Sequence, residues 1–157
     1  MNPASYTAIL RKALGHEKII VPGVNAIIQN QRAEVLLQER TDFRLWGLPG
    51  VSVEIGESVF AALKREIKEE TGLEVFQANL IGLYTDPRYD VIYPNGDALQ
   101  NFVAAFHVTK WSGTLQTAAD ETIRLGFFRM SEMPEMVAWH REILADFAGW
   151  AGQVIVK

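Results

Sequence analysis

No cysteine occurs among the 157 residues. A disulfide scaffold, a thiolate zinc site, an iron–sulfur cluster and a thiol nucleophile are excluded together, since each needs that sulfur. The absence fits a reducing compartment, and a cytoplasmic protein is expected. Long apolar runs are missing too. The longest, residues 19–28, is interrupted by Pro22, Gly23 and Asn25 and falls well short of the roughly 20 residues that span a bilayer. The opening Met-Asn-Pro-Ala-Ser-Tyr lacks the basic-then-apolar pattern of a secretory leader. Positive charge is in deficit, with 15 Lys and Arg against 19 Asp and Glu and a net charge of −4. Nucleic acid polymers and anionic membrane surfaces draw their affinity largely from Lys and Arg, so neither partner is expected. His16, His107 and His140 stand apart. With no second His at metal-site spacing, each reads as a surface or core residue.

What is present is enough for a core. Apolar residues make up 48% of the chain and charged residues 22%, which excludes a disordered chain. Without a repeat or a linker, residues 1–157 read as one domain. Residues 3–14 read as a helix with Tyr6, Ile9, Leu10 and Ala13 on one stripe and Gly15 as its stop. Residues 24–28 and 34–38 read as strands, with Asn30-Gln31 suggesting a hairpin between them. Residues 45–50 read as a loop. Residues 58–71 carry the clearest helix signal, with Val59, Leu63 and Ile67 every fourth residue and Gly72 behind them. Strand patterns follow at 73–84, 101–109 and 123–128, with turns at 93–97 and 112–113. Residues 131–150 close as a helix with Met136, Trp139, Ile143 and Phe147 on one stripe. This order predicts an α/β fold in which a mixed sheet packs between helices.

The segment 65–72, Arg-Glu-Ile-Lys-Glu-Glu-Thr-Gly, departs from an ordinary helix surface. At about 100° per residue, Glu66, Glu69 and Glu70 share roughly 100° of arc, and Glu70 falls on the stripe of Leu63 and Ile67. Like charges four residues apart repel, and acids in the last turn face the negative end of the helix dipole. A half-buried cluster of this kind would have raised pKa values unless a cation joined it, and oxygen-only ligands suit Mg²⁺ or Mn²⁺. Taken alone, the same segment also reads as a solvated charged face, with Arg65 and Glu69 as a surface ion pair.

The wider pattern decides between these. Glu57, Arg65, Glu66, Ile67, Glu69, Glu70, Gly72 and Leu73 resemble the Nudix box: Gly, five residues, Glu, seven residues, then Arg-Glu-apolar-x-Glu-Glu-x-Gly-apolar. Val35 to Arg40 ahead of the box, and Trp46-Gly47-Leu48-Pro49 at its entrance, are similar to the family too. The resemblance spans roughly residues 20–145. It implies a Nudix α/β/α sandwich and a Mg²⁺- or Mn²⁺-dependent pyrophosphohydrolase acting on a nucleoside diphosphate linked to a group X. It also implies Glu66, Glu69 and Glu70 as metal ligands, with the Gly50 carbonyl as a further one. Glu66 would double as general base, oriented by Arg65, and Glu57 would support the loop–helix junction. Some members add a late acidic residue, for which Glu121 is the candidate. The leading Gly of the box is Val51 here. If that position needs positive φ, a β-branched residue resists it. Either the loop takes a different path or the Gly is not required. A nucleotide-binding module with weakened catalysis is therefore the alternative function.

Substrate choice is less legible. In the family, a Pro about 15 positions past the box hints at ADP-ribose and a Tyr at dinucleoside polyphosphates, and both Pro87 and Tyr89 lie near that point. Arg88 is a candidate for binding phosphate, and Tyr84, Tyr89, Tyr93 and Phe43 are candidates for stacking on a base. Many relatives are dimers, and the apolar stripe of the N-terminal helix could serve a homodimer or pack on its own domain.

Overall fold

The structure, a computed structural model, describes residues 5–93, 95–117 and 122–157. The chain order is α1 (Tyr6–Leu14), β1 (Ile19–Ile28), β2 (Val35–Arg40), β3 (Trp46–Gly47), β4 (Gly50–Ser52), α2 (Val59–Thr71), β5 (Glu74–Tyr84), a 3₁₀ turn (Pro87–Tyr89), β6 (Val91–Ile92), β7 (Ala98–Ser112), β8 (Thr122–Phe128), α3 (Ala138–Ala148) and β9 (Ile155–Val156). The strands divide between a mixed sheet ordered β4-β1-β7-β5-β9, with β6 also on β7, and an antiparallel sheet ordered β3-β2-β8. β1 runs parallel to β7 from Ile19–Leu99 to Ile28–Val108.

Helices cover both faces. On one, Leu63 and Ile67 of α2 pack with Val24, Ala26, Ile28 and Val108. On the other, Ile143 and Leu144 of α3 pack with Ile27, Leu37, Ile81 and Val103. Alternate β1 residues therefore enter opposite cores, as the two-residue period of a strand requires. Each fully buried Leu or Ile contributes roughly 1.5–3 kcal/mol. This is the expected α/β/α arrangement.

Helix α2 has the ends its sequence dictates. The Ser58 hydroxyl accepts from Ala61 N–H at 3.2 Å, and Gly72 closes the helix in the left-handed conformation at φ 76°. Val59, predicted on the core stripe, is instead exposed at the first position of the helix.

Other expectations are corrected. Helix α1 begins at Tyr6 behind Ser5, which is extended and whose side chain accepts from Ala8 N–H, while residues 3 and 4 of the expected helix lie outside the described residues. Ile9 is exposed, while Leu10 packs beside Ile19, Val21 and Leu99. The start of α1 is also held from outside, as Tyr6 N–H donates to Glu54 Oε2 at 2.6 Å. The chain turns at Asn30, where the Asn side chain accepts from Arg32 and Glu34 N–H, but no hairpin ladder follows. A single bridge, Gln29–Val35, joins the two arms before β1 and β2 enter different sheets. Residues 45–50 are not merely a loop, since β3 pairs with β2 and β4 with β1. Met136 precedes α3, bridging to Trp46. Among the described residues, no helix is long and apolar enough to cross a membrane.

Candidate active site

The last two turns of α2 bring Glu66 and Glu70 against the sheet. They are 7% and 6% exposed, close to the fully buried Leu63 and Ile67 beside them. Glu69 points outward, with its side chain 61% exposed. Fixed donors hold Glu70: Gly50 N–H reaches Oε2 at 3.0 Å, and Gln38 Nε2 reaches Oε1 at 3.1 Å. Gln38 is positioned in turn by Thr122, whose hydroxyl donates to Gln38 Oε1 at 3.0 Å. The Glu66 carboxyl is pushed up to about 8, first by burial and then by the charge of Glu70, with Arg65 opposing the shift.

Arg65 ties the helix to the preceding loop. Its guanidinium meets Glu57 through two bonds, Nε to Oε2 at 3.1 Å and Nη2 to Oε1 at 2.5 Å. The same side chain contacts Glu66 Oε1, and Nη1 lies 3.4 Å from Glu69. Glu57 also accepts from Glu54 N–H at 2.8 Å, which folds the loop back on itself. The hydrogen bonds from Arg65 hold the Glu57 carboxyl below its usual value.

The Val51 departure has a structural answer. Positive φ falls on the preceding residue, Gly50, at 153°. A Cβ there would lie 2.0 Å from the Val24 carbonyl oxygen. Val51 itself is in strand β4, paired with Val24, where a β-branched residue is at home.

Beside Gly50 opens a cavity of about 440 Å³. Phe43, Arg88, Tyr93, Trp139, Asn25 and His140 are among its lining residues. Phe43 and Tyr93 stack on each other with ring centroids 5.2 Å apart. His140 is buried, and its Nδ1 accepts from Leu48 N–H at 3.0 Å. Burial, with the nearby Arg40 charge, depresses the imidazole to about 3, so it is neutral and its single proton sits on Nε2. Gly47 makes room for the ring, as a Cβ there would fall 2.6 Å from His140 Nδ1. Asn25 Oδ1, Asp90 Oδ1 and His140 Nε2 are buried without a hydrogen-bond partner, and all three residues line this cavity. Each such atom costs about 1–3 kcal/mol when left unpaired.

The sequence-predicted residues thus separate into three groups. Gly50, Glu57, Arg65, Glu66, Glu69 and Glu70 surround the end of α2. Phe43 and Arg88 line the cavity. Tyr84 and Tyr89 do not, being fully buried in the core: the Tyr84 hydroxyl donates to Asp146 and that of Tyr89 to Glu142. Both rings face inward because β5 and the 3₁₀ turn are covered by α3. Glu121 lies outside the described residues. Among the described residues, no three His, Asp or Glu side chains form a ready-made metal cage. Glu69 faces solvent, and Glu66 turns one oxygen to Arg65. The donor set nevertheless suits a hard divalent cation: carboxylate oxygens only, with two of the acids buried one turn apart. Sequence reasoning missed Gln38 and His140, whose partners lie 32 and 92 residues away.

Fold and site together define an α/β/α protein with a buried carboxylate helix next to a polar, aromatic-walled cavity. The family model described as the NUDIX domain matches residues 20–147. An ADP-ribose pyrophosphatase of Methanocaldococcus jannaschii is 33% identical over 129 residues, covering 81% of this chain and 72% of the relative. The crystal structure of a MutT NUDIX hydrolase from Burkholderia pseudomallei is 27% identical and superposes with a TM-score of 0.68 over 82% of this chain and 98% of that one. A MutT protein from Bacillus halodurans shares the fold at 23% identity, with a TM-score of 0.71 over 87% of this chain and 86% of that one. The chain belongs to the NUDIX family and is a MutT-like Nudix hydrolase, an enzyme acting on pyrophosphate bonds. Nudix hydrolases generally use divalent metal ions.

Proposed function

We propose that this enzyme is a Mg²⁺-dependent pyrophosphohydrolase that splits a nucleoside diphosphate linked to X by attack of water at phosphorus. ADP-ribose is the first substrate to test, because the Methanocaldococcus jannaschii relative is an ADP-ribose pyrophosphatase. The observation that carries the reading is the buried Glu66–Glu70 pair on α2, an arrangement of like charges that costs stability unless a cation joins it. Glu66, Glu69 and Glu70 would hold Mg²⁺ or Mn²⁺, with the Gly50 carbonyl and Glu121 as further donors. A divalent ion in such a site screens the diphosphate charge, lowers the pKa of water and stabilises the leaving oxygen.

The side chains divide the remaining work. Arg65 engages Glu66 Oε1, leaving Oε2 to accept a proton from the attacking water. Glu57 fixes Arg65 through two bonds and so acts by positioning. Gly50 and Gln38 hold Glu70 against rotation. Arg88, at the cavity wall and exposed, supplies a guanidinium for a phosphate. The cavity beside Gly50 takes the nucleoside, with Phe43 and Tyr93 as an aromatic wall.

The test is a Mg²⁺-supplemented panel of ADP-ribose, nucleotide sugars, dinucleoside polyphosphates and nucleoside triphosphates, read as release of nucleotide. Turnover of at least one is expected. Nucleotide binding without any turnover would replace the proposal with the binding-module alternative.

A further inference from the structure

We propose that Glu142 of α3 is a positioning residue: it holds Arg88 in one orientation at the cavity wall, so that the guanidinium meets a substrate phosphate already ordered. The proposal rests on the reading above in taking Arg88 as a phosphate contact, and adds the group that sets its direction.

The backbone of Arg88 is fixed from both sides. Asp86 caps the 3₁₀ turn, its side chain accepting from Arg88 N–H at 2.9 Å. Asn101 of β7 donates through Nδ2 to the Tyr89 carbonyl at 2.6 Å. The turn is thereby tied to the middle strand of the mixed sheet, and both Arg88 and Asn101 line the cavity. The side chain is fixed as well. Arg88 Nη2 donates to Glu142 Oε1 at 2.8 Å and to the Tyr89 hydroxyl at 2.7 Å, and the guanidinium lies over the Tyr89 ring at 4.9 Å. The Tyr89 hydroxyl donates in turn to Glu142 Oε1 at 3.0 Å, which closes a triangle of arginine, tyrosine and glutamate. A guanidinium has five N–H groups, and these bonds use the two on Nη2. Nε and Nη1 are left for a ligand oxygen.

The charges around this triangle are layered. Lys157 Nζ donates to the same Glu142 oxygen at 2.9 Å and to Asp146 Oδ1 at 2.9 Å, so two cations balance two acids. The Arg88 side chain is 54% exposed, against 31% for Glu142 and 19% for Asp146. The positive group thus stands outermost with the acids behind it, an order that suits an anion. A free arginine side chain is ordered only on binding and loses rotamer freedom at that moment, whereas one already held loses less. A structural role would instead give Glu142 only the task of tying Lys157 to α3. Substitution separates the two.

Binding of ADP, GDP, CDP and UDP to the full chain in Mg²⁺ is measured by calorimetry, with the four nucleosides as phosphate-free controls. At least one nucleotide should bind, and Arg88→Ala should weaken it about tenfold. Glu142→Ala should weaken it about three- to tenfold and add nothing to Arg88→Ala, because its effect passes through Arg88. Glu142→Gln keeps an oxygen in the same place and should retain most of the affinity. Lys157→Met breaks the tie to Glu142 and leaves the Arg88 bond, so wild-type affinity is expected. Nucleoside affinity should be unchanged throughout. Unchanged nucleotide affinity in Arg88→Ala or Glu142→Ala would overturn the proposal. So would additive losses in the double variant, a loss in Glu142→Gln or Lys157→Met as large as in Glu142→Ala, a matching loss for the nucleosides, or no nucleotide bound at all. None of these readouts needs turnover. Failure to hydrolyse with this binding pattern intact counts against the hydrolase reading alone. A loss in Arg88→Ala without one in Glu142→Ala counts against the positioning role alone.

Discussion

Glu66 and Glu70 lie one helical turn apart on α2, and both are buried against the sheet, at 7% and 6% exposure. Burial and the Glu70 charge raise the Glu66 carboxyl to about 8, against 4.5 for the free side chain. An acid with a raised pKa binds its proton more tightly in the folded state than in the unfolded one. Its contribution to stability is therefore complete below about pH 4.5 and declines as pH rises through about 8. Thermal melts of the metal-free protein should show a falling Tm between about pH 6.5 and 8, above the range in which His140 opposes the slope. Glu66→Gln should flatten that slope, and added Mg²⁺ should raise Tm most on the alkaline side. A flat profile in the metal-free wild type would mean that Glu66 is not held as described.

Gln38 carries the support of Glu70 to β8. Its amide donates to Glu70 and its carbonyl accepts from Thr122, all within the buried layer. Gln38→Leu leaves both partners unsatisfied at similar volume. A loss of about 1–3 kcal/mol in urea unfolding is expected, together with a fall of about 10–100-fold in kcat or apparent metal affinity. Unchanged activity would show that Glu70 needs no such support.

Gly50 and Val51 exchange the roles that the family pattern suggests. Gly50→Ala places a methyl on the Val24 carbonyl oxygen at φ 153°. It should cost about 1–3 kcal/mol and displace the N–H that holds Glu70. Val51→Gly restores the family residue yet sits in an extended strand. It should lower stability by about 0.5–1 kcal/mol without raising activity. A rise in turnover for Val51→Gly would show that the loop is impaired by valine.

His140 adds an acid-side signature. Its neutral form is favoured by burial and its pKa is depressed to about 3, from 6.5. Its contribution to stability is full above about pH 6.5 and is lost progressively as pH falls toward about 3, because the unfolded chain takes up the proton first. His140→Asn should remove that part of the acid slope in a pH series of unfolding midpoints. A slope identical to wild type would place the acid sensitivity elsewhere.

Local features were legible in the sequence because local rules govern them. Ser58, the Leu63–Ile67 stripe and Gly72 predict α2 with its ends, and the wheel position of Glu70 predicts its burial. Features set by distant partners were not. Nothing near Asn30 shows that β1 will pair with β7 rather than with β2. Tyr84 and Tyr89 carry polar tips that suit a binding site as well as a core. Only the placement of Asp146 and Glu142 on α3 explains why their hydroxyls turn inward. In the sequence His140 stands alone, because its partner, Leu48 N–H, is a backbone group brought near by β3.

In the proposed reaction, the α2 carboxylates hold the divalent ion on which hydrolysis depends. The most direct measurement is the rate of nucleotide release from the best substrate as Mg²⁺ is titrated into chelator-treated wild type and Glu70→Gln. The wild type should be silent without Mg²⁺ and rise to saturation, while Glu70→Gln stays folded and at least about a hundredfold slower throughout. Wild-type turnover that persists in chelator, or a Glu70→Gln curve with the same midpoint and plateau, would contradict it.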